Sequence, residues 1–132
     1  MKHPSEYEEQ KAFCQYLDFI HVTYFATQNE NPLSYKDRKT ASIQGAKAKA
    51  SGKKAGVPDM VLLFEGGKTV FVEMKRKSGG TVSKDQKQWL ERIRVLGFSA
   101  YVCNGAKEAI DVVQKYLPES KKNINAKQGS LI

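Results

Sequence analysis

The sequence predicts an α/β fold with a central mixed sheet flanked by helices. Three observations carry this. Residues 59–75 hold two apolar runs separated by Gly66-Gly67, the composition of a β-hairpin. Both runs are apolar on both faces. Val61 and Leu63 share a face with Asp59, and Phe71 shares one with Glu73, while Met60, Leu62, Phe64, Val70, Val72 and Met74 point the other way. Strands of that kind belong to a sheet covered on both sides. After the hairpin come a helical stripe and another β-branched and aromatic run, which calls for a right-handed crossover to a parallel neighbour.

The elements follow in order. Ser5 is an N-cap with Glu8 three residues on, as a capping box needs. Phe13, Tyr16, Leu17 and Ile20 make the apolar stripe of that helix. Glu6 and Gln10 continue the Phe13/Leu17 edge of the stripe, and Glu9 continues the Tyr16/Ile20 edge. A glutamate on either edge could reach a metal, although acids in a first turn also suit the helix dipole. Residues 22–27 form a first strand, which Gln28-Asn29-Glu30-Asn31-Pro32 breaks.

Residues 34–56 are a basic arm: Lys36, Arg38, Lys39, Lys47, Lys49, Lys53 and Lys54 stand against one acid, Asp37. Alanine-rich spacing over Ala41–Ala50 allows a helix, interrupted or weakened by Gly45. The arm reads as a phosphate-contacting segment over the site, or as a solvated loop. The hairpin strands span roughly 59–65 and 69–75, and the basic turn Arg76-Lys77-Ser78-Gly79-Gly80 follows. Ser83 and Gln86 form a second capping box. That helix carries the stripe Gln86, Trp89, Leu90, Ile93, Leu96 and stops at Gly97. Gln86 is the polar member of an apolar stripe, at the end nearest Lys75, and is expected to point into the site. Residues 98–103 are the last strand. Asn104 caps a final helix that turns Ala109, Ile110, Val113, Tyr116 and Leu117 inward, and Pro118 ends it. Residues 1–118 are read as a single domain and 119–132 as a flexible polar tail.

The charge balance is 22 − 14 = +8. Such an excess favours a polyanionic partner, nucleic acid first and an anionic membrane surface second. The sequence contains neither an apolar run of membrane-spanning length nor a signal-peptide pattern, so the chain is expected to be soluble and intracellular. Cys14 and Cys103 are too few and too distant for a metal knuckle and read as reduced thiols.

Charged side chains are rarely buried unless paired or bound to metal. The hairpin nevertheless places Asp59, Glu73 and Lys75 at the ends of Val-, Leu- and Phe-rich strands. Their geometry depends on the turn. A two-residue loop at Gly66-Gly67 sets Asp59 opposite Met74, with Glu73 on the other face. A three-residue loop, Glu65-Gly66-Gly67, sets Asp59 opposite Glu73, with Lys75 on the same face. Directly paired Cβ atoms lie about 5 Å apart, close enough for two carboxylates to share one cation. A metal site therefore requires the odd loop or a bulge.

Asp59, a spacer and then Glu73-x-Lys75, led by Pro58, resembles the PD-(D/E)xK nuclease superfamily. Its surroundings sharpen the match. Lys54-Ala55-Gly56-Val57-Pro58-Asp59, Phe71-Val72-Glu73-Met74-Lys75-Arg76, Gly79 to Trp89 with its Ser83 and Gln86, and Leu96-Gly97 are similar to the VRR-NUC branch, the virus-type replication-repair nucleases. Ser5-Glu6 with Gln10 is similar to that branch's first helix. The resemblance covers roughly residues 5–117. Lys77 stands where relatives commonly carry proline, which touches the turn and not the ligands.

The resemblance implies an αβββαβ core and Mg²⁺- or Mn²⁺-dependent hydrolysis of DNA phosphodiester bonds. Asp59, Glu73 and the Met74 backbone carbonyl become metal ligands, Lys75 the catalytic lysine, Glu6 the helix-borne acid and Gln86 an accessory polar residue. Lys36, Arg38, Lys39, Lys47, Lys49, Lys53, Lys54, Arg76 and Lys77 become nucleic-acid contacts. It further implies a homodimer acting on branched DNA such as four-way junctions or flaps, in repair or phage metabolism in the cytoplasm, with no membrane and no small-molecule substrate.

Overall fold

The structure, a computed structural model, describes residues 3–27 and 38–122. The elements run α1 (Glu6–Phe19), β1 (Thr23–Ala26), α2 (Arg38–Ala50), β2 (Met60–Phe64), a 3-10 turn (Glu65–Gly67), β3 (Lys68–Lys75), α3 (Lys84–Val95), β4 (Ser99–Asn104) and α4 (Ala106–Gln114). The strands form one mixed sheet in the order β1-β2-β3-β4. β1 and β2 pair antiparallel, as do β2 and β3, while β4 lies parallel to β3 as the α3 crossover requires.

The helices sort by the polarity of their faces. α1 and α4 bring Phe13, Tyr16, Leu17, Ala109 and Val113 against Met60, Leu62, Val70, Val72 and Met74, forming the main core on one face of the sheet. α3 covers the other face less completely, with Leu90 and Ile93 on Ala100 and Phe71, Trp89 and Val102 at the margin. The face beyond α3 stays open: Phe25, Leu63 and Phe98 are about half exposed. Both expected capping boxes form, at Ser5/Glu8 and Ser83/Gln86. Cys14 and Cys103 are free thiols, and burial pushes the Cys103 thiol up to about 12.

Several local expectations are corrected. β1 and β2 are each one residue shorter at both ends than the predicted strands, β3 begins one residue earlier at Lys68 because the three-residue loop pairs it with Phe64, and β4 is shifted one residue on. α2 runs unbroken through Gly45, and none of its residues is buried. An exposed helical glycine costs only about 1 kcal/mol relative to alanine, too little to break the helix here. Leu96 leaves the core stripe: it caps α3 and is 70% exposed. Asn104 does not cap α4. It ends β4, and Gly105 is the N-cap, without a side-chain hydrogen bond. Residues 119–122 add a helical turn. Lys36, the strand-breaking stretch 28–32 and the rest of the polar tail lie outside the described residues.

Candidate active site

The site begins with the hairpin turn. Gly66 and Gly67 take φ of 80° and 76°, a region that L side chains with a Cβ rarely adopt. They close a three-residue loop that pairs Phe64 with Lys68 and Met60 with Val72. One step further, the same register sets Asp59 across from Glu73 on one face. β1 fixes Asp59 from the other side: the Thr27 amide donates to the Asp59 carbonyl at 2.8 Å, and the Thr27 hydroxyl donates to the Pro58 carbonyl. The Asp59 Oδ2 accepts from the Met74 N–H at 2.8 Å. The carbonyl and N–H of a strand residue project to the same edge, so the Met74 carbonyl lies on the Asp59 side.

Asp59, Glu73 and Lys75 are the buried charged groups among the described residues, with Glu73 only 1% exposed. Lys75 Nζ lies 3.3 Å from Glu73 Oε2 and donates to Gln86 Oε1 at 3.0 Å. Gln86 Nε2 donates to the same Glu73 Oε2 at 2.9 Å, which closes a triangle of amide, ammonium and carboxylate. The other oxygen, Glu73 Oε1, is buried without a hydrogen-bond partner. Burial, and after it the nearby Asp59 carboxylate, pushes the Glu73 carboxyl up to about 8, against the pull of Lys75.

Glu6 completes the group: carboxylate oxygens of Glu6, Asp59 and Glu73 all lie within 4.8 Å of one another. Three hard oxygen donors at this separation, from residues of which one also keeps an orphaned buried oxygen, fit a divalent cation. Glu9, the alternative acid, turns elsewhere and accepts the Ala106 amide at 3.0 Å.

Gln86 reaches the site as the stripe suggested. The same Oε1 that takes Lys75 also accepts the Ser83 amide at 2.9 Å. In the arm, Arg38, Lys39, Lys47, Lys49, Lys53 and Lys54 are exposed, as are Arg76 and Lys77 beyond β3. Sequence reasoning missed the Met74 amide as an Asp59 donor and the Glu9–Ala106 contact. Neither leaves a side-chain signal at its backbone partner.

No curated protein matches the chain. A solved structure described as a VRR_NUC domain protein is 24% identical with a TM-score of 0.64, covering 89% of this chain and 91% of that one, a likeness of fold. The family model of the VRR-NUC domain matches residues 4–107. An αβββαβ core, with α2 inserted between β1 and β2 and α4 following β4, the carboxylate cluster and that match over most of the chain lead to one conclusion: the chain belongs to the VRR-NUC domain family, a family of nucleases.

Proposed function

We propose that this domain is a divalent-metal-dependent endonuclease that hydrolyses DNA phosphodiester bonds, selecting branched structures such as four-way junctions or flaps. The observation that carries the reading is the cluster of Glu6, Asp59 and Glu73 oxygens within 4.8 Å of one another, together with a buried Glu73 oxygen, Oε1, that has no hydrogen-bond partner. A carboxylate oxygen left without a partner in the interior is costly unless a cation joins it. Asp59, Glu73 and Glu6, with the Met74 carbonyl, would hold Mg²⁺ or Mn²⁺. When bound, the cation would supply Lewis acidity to the scissile phosphate and to a water.

The chain's own groups do the rest. Lys75, held between Glu73 Oε2 and Gln86 Oε1 at 3.3 and 3.0 Å, is fixed as a hydrogen-bond donor. It orients the attacking water and stabilises the developing anion, a contribution of about 10²–10³ in rate for groups of this kind. Gln86 aligns Lys75 with Glu73. The exposed cations of the arm, with Arg76 and Lys77, hold the phosphate backbone. One described acid cluster per chain supports a homodimer, since cutting both strands of a junction takes two sites.

A cleavage panel of single-stranded, duplex, flap and four-way DNA, and the matching RNA, tests this with and without EDTA. The expected result is metal-dependent cleavage of the branched DNA. Asp59→Asn and Glu73→Gln should abolish cleavage while DNA binding persists. Metal-independent cleavage, or cleavage by Asp59→Asn at the wild-type rate, refutes the assignment, and DNA binding by the wild type with no cleavage leaves a DNA-binding module. Light scattering reads the oligomeric state.

A further inference from the structure

We infer that Glu9 is a positioning residue, which fastens the first turn of α1 to the β4–α4 junction and so sets the reach of Glu6 toward Asp59 and Glu73. This rests on the metal-site reading above. Glu9 lies outside the acid cluster but one helical turn beyond Glu6, so the two share a neighbouring strip of α1. Its Oε1 accepts the Ala106 amide at 3.0 Å.

That amide belongs to the first turn of α4, whose N-cap, Gly105, has no side chain to satisfy it. α1 therefore supplies across space the cap that α4 lacks in its own sequence, and a carboxylate there is also favoured by the helix dipole. The fit is close. A Cβ on Gly105 would stand 3.3 Å from Glu9 Oε2 and press on the carboxylate, and the φ of 96° at this position itself favours glycine.

The contact also connects to the site through the backbone. The Gly105 amide donates to the Lys75 carbonyl at 2.8 Å. The path from Glu9 through Ala106 and Gly105 ends on the strand that carries Glu73 and Lys75. The two acids of α1 thus have divided roles, Glu6 toward the cation and Glu9 toward the frame that holds its partners.

The test is a double-mutant cycle read by calorimetric Mn²⁺ titration of the full chain, with folding followed by circular dichroism. Glu9→Ala should weaken Mn²⁺ binding about tenfold, as removal of an orienting partner does. Glu9→Gln keeps an acceptor oxygen and should bind nearly as wild type. In a Glu6→Gln background, Glu9→Ala should add no further loss. Should Glu9→Ala fail to fold, Glu9→Asp keeps the charge, shortens the reach and takes its place in the cycle.

Wild-type affinity in Glu9→Ala, or an equal loss with and without Glu6, overturns the inference while leaving the metal site standing. A wild-type chain that binds no Mn²⁺ fails the metal reading itself, and this inference with it.

Discussion

Glu73 concentrates the energetics of the domain in one side chain. It is the most buried charged group described, one of its oxygens has no partner, and Asp59 faces it. Without a cation this arrangement opposes folding. Glu73→Gln should therefore raise the melting temperature of the metal-free protein by about 3–5 °C, roughly 1 kcal/mol for a domain of this size. Mn²⁺ should raise the wild-type melting temperature and leave that of Glu73→Gln unmoved. Differential scanning calorimetry with EDTA and with Mn²⁺ checks both. Asp59, Glu73 and Lys75 were legible in the sequence because charges at the ends of apolar strands stand out. The choice between Glu6 and Glu9 was not. Both lie on core-facing edges of α1, and helical phase alone does not say where the start of α4 will sit.

At the scale of elements, the sheet was largely readable and its margins were not. Alternation and the paired glycines left the hairpin two registers, and only coordinates select the three-residue loop. Leu96 had the right phase for the core, but the helix ends one residue earlier and the cap turns it outward. β4 is an edge strand, and its free side is managed in a way no pattern announces. Arg94 Nε and Nη2 donate to the Ala100 carbonyl at 3.0 and 2.7 Å, and the Glu108 carboxylate accepts the Asn104 amide at 2.9 Å. Side chains thus occupy backbone groups at both ends of an edge that could otherwise template another strand. Arg94→Ala should increase self-association at high concentration, measured by light scattering, with little change in the circular dichroism spectrum of the monomer.

For the molecule as a whole, the charge of +8 is unevenly spent. The core carries three charged side chains, Lys75 paired with Glu73 and Asp59 held by the Met74 amide, while the arm presents its cations to solvent. DNA affinity should fall steeply with salt, and Lys47→Glu with Lys49→Glu should weaken binding across DNA sequences alike. The same pair should lower the slope of log affinity against log salt by about 2. Fluorescence anisotropy at several salt concentrations measures this.

Gln86 has a consequence for how the molecule would fail. A single amide oxygen both closes the first turn of α3 and receives the Lys75 ammonium. Helix ends fray at far lower cost than a sheet melts. On gentle warming, then, that turn should unwind first and strand the lysine, so nuclease turnover should fade several degrees before the near-ultraviolet signal of the aromatic core changes. The domain would carry a thermal fuse at the start of one helix.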